Sequence, residues 1–359
     1  MTIVEGMSTH TSLRLVSRTL AAVALLASAC AGEDGRAGAA GPAGPAGPAG
    51  PPAAASPSDA GAPTPGAACA ADHIDLPGSS FYPEGIAAAP DGTLYVGSLA
   101  TGEIVSAKPC GEVKTFVAAG GPVKSAVGLW VDAKNDLVWA CASDSTFQTA
   151  PAIVGLRRKD GSLAARHPFP SAGQFCNDLV QRADGTILAT DSTGAAIRAV
   201  PAADLLKDGA PTTSWLERPE FVVPQGQFGL NGLALTDDQT LYVVSLAGGK
   251  LFRVAIGAAG EAGAVTDVAT SAPLAGPDGL EVMPDGRLLT VEGGGLSTLR
   301  IAGDAATVER VVTRLDQPTT HAISGQDVWV AEGQFSFLFT PDSGTPNLPF
   351  RAVRLPLPR

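Results

Sequence analysis

Two carboxylates and two amides recur at matching points of a repeated pattern: Glu84, Asn177, Asn231 and Asp278. Each opens a segment made of a polar residue, an apolar stretch, an Asp-Gly-like turn and a second apolar stretch. The segments read EGIAAAPDGTLYVGS, NDLVQRADGTILATDS, NGLALTDDQTLYVVS and DGLEVMPDGRLLTVE. Brought to one point, the four side chains offer hard oxygen donors with two negative charges. Ca2+ fits that set best, with Mg2+, Mn2+ and Zn2+ as other candidates and water completing the shell. Of the four histidines only His321 falls near this register, which disfavours a nitrogen-rich zinc site. The plainer reading is that Asn and Asp cap turns at strand ends.

The elements that must position these residues follow from the repeat. Two weaker copies, VGLWVDAKNDLVWACAS from Val127 and HAISGQDVWVAE from His321, bring the pattern to six, with steps of 43, 50, 54, 47 and 43 residues. A period of that size, with Asx-Gly turns and β-branched or aromatic flanks, predicts an all-β, six-bladed β-propeller over residues 69–359. Another meandering all-β fold is the alternative. No stretch shows capped helical periodicity over more than about two turns, Ala202 to Lys207 excepted. In a propeller the innermost strands line a channel, so Glu84, Val127, Asn177, Asn231, Asp278 and Thr320 or His321 form a collar at one mouth. The return strands end in Ser98, Cys141, Asp191, Ser245, Glu292 and Glu332, a second ring around the same mouth. Its carboxylates Asp191, Glu292 and Glu332 could hold polar groups of a substrate or move protons, unless they are simply solvated strand ends. The C-terminal Phe350–Leu355 and the early His73–Leu76 are expected to join the sixth blade, the latter on its outer edge, because closure by both termini removes an open sheet edge.

Cysteine placement follows the same register. Cys141 and Cys176 lie on one face of adjacent blades, so a Cys141–Cys176 disulfide is expected, with Cys69–Cys110 by elimination; two buried free thiols are the alternative for the first pair. Residues 1–29 read as a signal peptide, with Arg14 and Arg18 before a short apolar run that ends in small residues at Cys30. The run LASAC resembles a bacterial lipobox, making Cys30 a candidate lipidation site, with ordinary cleavage nearby as the alternative. Residues 30–68 form a Gly/Pro/Ala linker with seven collagen-like triplets, best read as an extended tether. An exported lipoprotein on a bacterial cell envelope is expected, or else a periplasmic or secreted one, monomeric and touching membrane only through its anchor. The net charge of −11 argues against nucleic acid and anionic lipid as partners. No phosphate-binding glycine loop, G-x-S-x-G elbow or CxxC motif is present.

The motifs P-E-G-I, C-N-D-L, L-N-G-L-A-L and G-P-D-G-L resemble those of the regucalcin/gluconolactonase family, which includes senescence marker protein and luciferin-regenerating enzyme. The resemblance runs from Phe81 to about Glu332. It implies a six-bladed propeller with a divalent cation held by Glu84, Asn177, Asn231 and Asp278, and lactone hydrolysis with Asp278 as catalytic residue. Bonding to a dication would weaken Asp278 as a base, and His321, Asp191, Glu292 and Glu332 stand by for that role. Sugar-lactone hydrolases of the family often place Arg two residues before the first Asn. Here that position is Phe175, so the substrate-binding mouth suits a more apolar lactone or ester. Two functions are therefore expected: a cation-dependent lactone or ester hydrolase, or a non-catalytic envelope-anchored binding or scaffold propeller with a structural cation.

Overall fold

The computed structural model describes residues 71–237 and 239–359. The expectations for residues 1–29, Cys30, the linker and Cys69 lie outside this range. Each repeat becomes an antiparallel meander of four strands. The first runs Pro83–Ala88, Leu94–Ser98, Ile104–Ala107 and Lys114–Val117, and the second and third have the same order. The turns have the expected chemistry: Gly92, Gly185 and Gly286 sit at φ of 79, 98 and 84°, where a side chain would be strained. In the second repeat Asp136 occupies that left-handed position instead, at φ 54°.

The fourth and fifth meanders share one eight-stranded sheet, because Ala262–Thr270 and Ala305–Thr313 pair in parallel at Ala269 with Ala305 and Thr270 with Ala306. The last sheet is completed by both ends of the described chain. Arg351–Pro356 pairs with Asp327–Glu332, and His73–Asp75 lies on its outer edge against Arg351–Val353. Closure by both ends is as the sequence predicts.

The apolar core lies between neighbouring sheets. Trp139, Ile153 and Cys141 of the second repeat pack on Leu179, Ile187 and Ala189 of the third, and Trp329 and Ala331 of the sixth pack on Ile86 and Val96 of the first. Such strands are buried on both faces, which explains their nearly continuous apolar sequence. The inner strands Pro83–Ala88, Ser125–Asp132, Cys176–Gln181, Leu230–Asp237, Leu280–Val282 and Pro318–Ser324 touch in that order, and the last returns to the first. The expected helical turn at Ala202 is a 3-10 turn over Ala202–Asp204, and a short helix not foreseen from the sequence covers Phe335–Phe339. Among the described residues no helix is long and apolar enough to cross a membrane.

Candidate functional site

Glu84, Asn177, Asn231 and Asp278 line one narrow recess at the start of the inner strands, with Gly128, Asp178, Gly279 and Thr320 completing its wall. The sixth ring position is thus Thr320, and His321 is the residue after it. Glu84, Asn177 and Asn231 are buried. Burial, then the neighbouring Asp278 and Asp178 charges, push the Glu84 carboxyl well above the usual range. Asp278 is also raised, by desolvation and by Asp178, although a hydrogen bond from the Asn231 side chain opposes the shift. The Asn231 Oδ1 is buried without a partner. Two carboxylates that resist ionisation beside an orphaned amide oxygen leave a site deficient in positive charge.

The residue after each collar position explains how the strands come so close. It is Gly85, Gly128, Gly232 and Gly279 in four repeats, and a Cβ there would collide with the carbonyl oxygens of Val127, Asn177 and Asp278 and with Thr320, respectively. In the other two repeats the position holds Asp178 and His321, each a titratable side chain shifted by burial. Asp178 accepts from the backbone N–H of Leu179 (2.8 Å) and of Leu233 (3.4 Å), and burial raises its carboxyl to about 7. His321 is buried with both ring nitrogens unpartnered, 3.9 Å from Glu281, and burial lowers it to about 3. Glu281 is raised to about 7 by desolvation, although its side chain is 38% exposed. Sequence reasoning missed Asp178 and Glu281. The signal for Asp178 was an N-D-L among E-G-I, V-G-L, N-G-L and D-G-L.

Hydroxyls of neighbouring strands fix the backbone at and beside the collar. Thr190 donates to the Asn231 carbonyl (2.8 Å), Thr290 to Gly279 (2.9 Å) and Ser143 to Cys176 (2.8 Å).

The second ring is differently occupied than the sequence suggests. Asp191 is fully buried and accepts from Gln174 Nε2 (2.7 Å), the Gly194 N–H (2.8 Å) and Arg198 (3.3 Å). Glu292 accepts from the Ala275 N–H and Ser297 (both 2.6 Å), and Glu332 from the Asp316 N–H (2.8 Å). Asp191 and Glu292 thus brace the adjoining loops through several bonds, while Glu332 is tied to one loop through Oε1 alone. In the second repeat the pairing puts Ala142, opposite Ala126, at this position, because the hairpin there is one residue longer. Cys141 instead forms the expected disulfide with Cys176, Cα atoms 5.2 Å apart. Cys110 is disulfide-bonded, and its expected partner Cys69 lies outside the described residues. Phe175 is buried two residues before Asn177 and packs edge-on against Phe228, ring centres 5.0 Å apart.

Among the described residues no cluster of three or more His, Cys, Asp or Glu side chains has metal-holding geometry. The collar is half amide, and its fit to a cation rests on the orphaned Asn231 oxygen and the two charge-starved carboxylates.

Comparison with known proteins supports the architecture. The N-terminal part of the strictosidine synthase-like family matches residues 70–106. No curated protein matches the chain. Among solved structures, a gluconolactonase from Xanthomonas campestris superposes with a TM-score of 0.57 at 20% identity, covering 78% of this chain and 87% of its own. A calcium-binding regucalcin from Agrobacterium tumefaciens gives 0.55 at 16% identity, over 80% of this chain and 95% of its own. Virginiamycin B lyase from Staphylococcus aureus gives 0.54 at 19% identity, over 72% and 80%. At these identities the likeness is one of propeller-like fold. Since a gluconolactonase and a lyase share that fold, the chemistry has to be argued from the site.

Proposed function

We propose that this chain is a six-bladed propeller that hydrolyses a lactone or ester with the help of a divalent cation at the collar. The observation that carries the reading is the buried, unpartnered Asn231 Oδ1 in a recess shared with Glu84 and Asp278. Glu84, Asn177, Asn231 and Asp278 would hold the cation, and Ca2+ suits a donor set made only of oxygen. When bound, it would polarise the substrate carbonyl and stabilise the charge that builds on its oxygen.

The chain's own groups account for the rest. Asp278 takes a proton from the attacking water, whose oxygen bonds to the carbonyl carbon; the C–O ester bond breaks and the leaving alkoxide is protonated, giving a hydroxy acid from a lactone. Asp178 lines the same recess and, titrating near 7, is a second group able to hold that proton. The glycines after the collar positions keep the inner strands close around a buried recess, and burial strengthens each of these interactions.

The test is turnover of a lactone and ester panel by chelator-treated protein supplied with Ca2+, Mg2+, Mn2+ or Zn2+. Hydrolysis restored by one cation supports the reading. No turnover with any substrate, alongside a melting temperature that still rises with cation, moves the protein to the second reading, a binding or scaffold propeller with a structural ion.

We also read residues 1–29 as a signal and Cys30 as a lipid-bearing N-terminus ahead of a 30–68 tether, placing a monomer on a bacterial envelope. Mass spectrometry of the mature N-terminus tests this; an unmodified start beyond Cys30 would leave a secreted or periplasmic protein.

A further inference from the structure

Three phenylalanines crowd the collar end of successive repeats. Phe147 lies in the loop after Leu137–Ser143, Phe175 directly precedes Cys176–Gln181, and Phe228 precedes Leu230–Asp237. Their ring centres are 5.8 Å (147 to 175), 6.1 Å (147 to 228) and 5.0 Å (175 to 228) apart. Phe175 is buried, while Phe147 and Phe228 keep part of their surface open. They belong to the apolar cluster that contains Val127, the only wholly apolar side chain among the six collar positions, and Phe335 and Leu338 of the sixth-repeat loop pack on the same cluster. The apolar cluster thus reaches the collar ring at Val127.

The loop that presents Phe147 is strained and braced. Phe147 has φ 58°, a left-handed backbone that a bulky aromatic residue rarely adopts. The loop is tied to one residue, Asp144. Its backbone carbonyl accepts from the Phe147 N–H (2.8 Å), Oδ1 accepts from the Thr146 N–H (3.0 Å), and Oδ2 accepts from the Thr149 N–H (3.0 Å), the Thr149 hydroxyl (2.7 Å) and Lys124 (3.2 Å). Strain maintained by such bracing is characteristic of sites that handle a ligand. Core filling alone would call for neither the left-handed backbone nor two half-open rings. Gln174, next to Phe175 in sequence, and Asp191, which accepts from the Phe175 N–H (3.3 Å), bond each other at 2.7 Å, so they are not free to recognise sugar hydroxyls.

We propose that Phe147, Phe175 and Phe228 form an aromatic wall that seats the apolar part, an aryl ring or alkyl chain, of an ester or lactone whose carbonyl lies at the collar. The inference rests on the hydrolase reading for the carbonyl's position, and it names the substrate class: an alkyl- or aryl-substituted lactone rather than a polyhydroxylated one.

Two measurements separate this inference from the reading beneath it. First, cation-supplied protein is assayed on δ-lactones with no side chain, a butyl and a hexyl chain, and on gluconolactone. Each added methylene should raise kcat/KM by about fourfold over the first few carbons. Phe228→Ala and Phe147→Gly should cut the hexyl-to-unsubstituted ratio by about tenfold or more, through KM. Phe147→Gly removes the ring and the backbone strain together, so it should melt no lower than Phe147→Ala, and loss of selectivity then cannot be ascribed to unfolding. Second, calorimetry measures octanoate and gluconate binding, which needs no turnover; octanoate should bind more tightly and weaken at least about tenfold in Phe147→Gly. Rates independent of chain length, with gluconolactone turned over as well as hexyl lactone, would overturn the wall and leave the hydrolase reading standing. No hydrolysis, with octanoate binding lost in Phe147→Gly, would overturn the hydrolase reading and keep the wall as a ligand site. Failure of both measurements would remove both.

Discussion

The Thr319 hydroxyl donates to the backbone carbonyl of Glu84 over 2.9 Å, joining residues 235 positions apart. The bond links the last inner strand to the first, and one of its ends is a collar residue. Closing the ring and placing a candidate ligand are thus one event.

Thr319→Val should therefore have two effects. It leaves a buried carbonyl without its donor, costing about 1 to 3 kcal/mol in denaturant unfolding, and it should also lower Ca2+ affinity by calorimetry. Thr319→Ser should recover most of both. A stability loss with unchanged affinity would mean that the closure does not set the Glu84 position.

Replacing Asp278 with Asn removes one of the two collar charges and should weaken Ca2+ binding by about tenfold or more, with hydrolysis lost. Asp91→Asn is the control: Asp91 is exposed in a turn at the other end of its strands, where it accepts from the Thr93 N–H (3.0 Å). It should bind cation as the parent does. If Asp278→Asn titrates like the parent, the collar holds no cation.

Acidity should act on cation binding in a definite direction. Glu84 and Asp278 are raised in the cation-free fold, so they hold protons to higher pH than in the unfolded chain. Their contribution to stability is present at low pH and is lost as pH rises through the folded-state values. Asp178 and Glu281, both near 7, follow the same sign between about pH 4 and 7; His321, near 3, has the opposite sign below about 6.5, but it is one group against several. Chelated protein should thus melt at lower temperature at pH 8 than at pH 5. Because a cation must displace those protons, added Ca2+ should raise the melting temperature more at pH 8 than at pH 5. The reverse order in a thermal shift series would contradict the shifts.

The Cys141–Cys176 bridge closes a loop with a sequence separation of 35. Converting both residues to Ser should cost about 3 to 4 kcal/mol by the chain-entropy account. Since Cys176 adjoins Asn177, calorimetry should also record weaker Ca2+ binding.

Much of this arrangement was legible in the sequence because the repeat gives each side chain a register: four polar residues at one point of the pattern must meet if the pattern closes, and they line one recess. The disulfide and the seating of His73–Asp75 were legible for the same reason. Other features depended on what lies beside a strand rather than within it. Asp191, Glu292 and Glu332 occupy a mouth position by register, and each also accepts from a backbone N–H of an adjoining loop, which the strand pattern does not foretell. Glu281 meets the Ile323 N–H (2.9 Å) and His321 only because the fifth and sixth inner strands lie side by side. The parallel join at Ala269 and Ala305 needed two outer strands to lean together, and no local pattern encodes that.

His73–Asp75 occupies the outermost strand of the last sheet, far from the inner ring. Whatever chain precedes it is therefore joined at the perimeter, like a string tied to the rim of a wheel. Pull on that string is borne by the backbone pairing with Arg351–Val353 and is not directed along the axle.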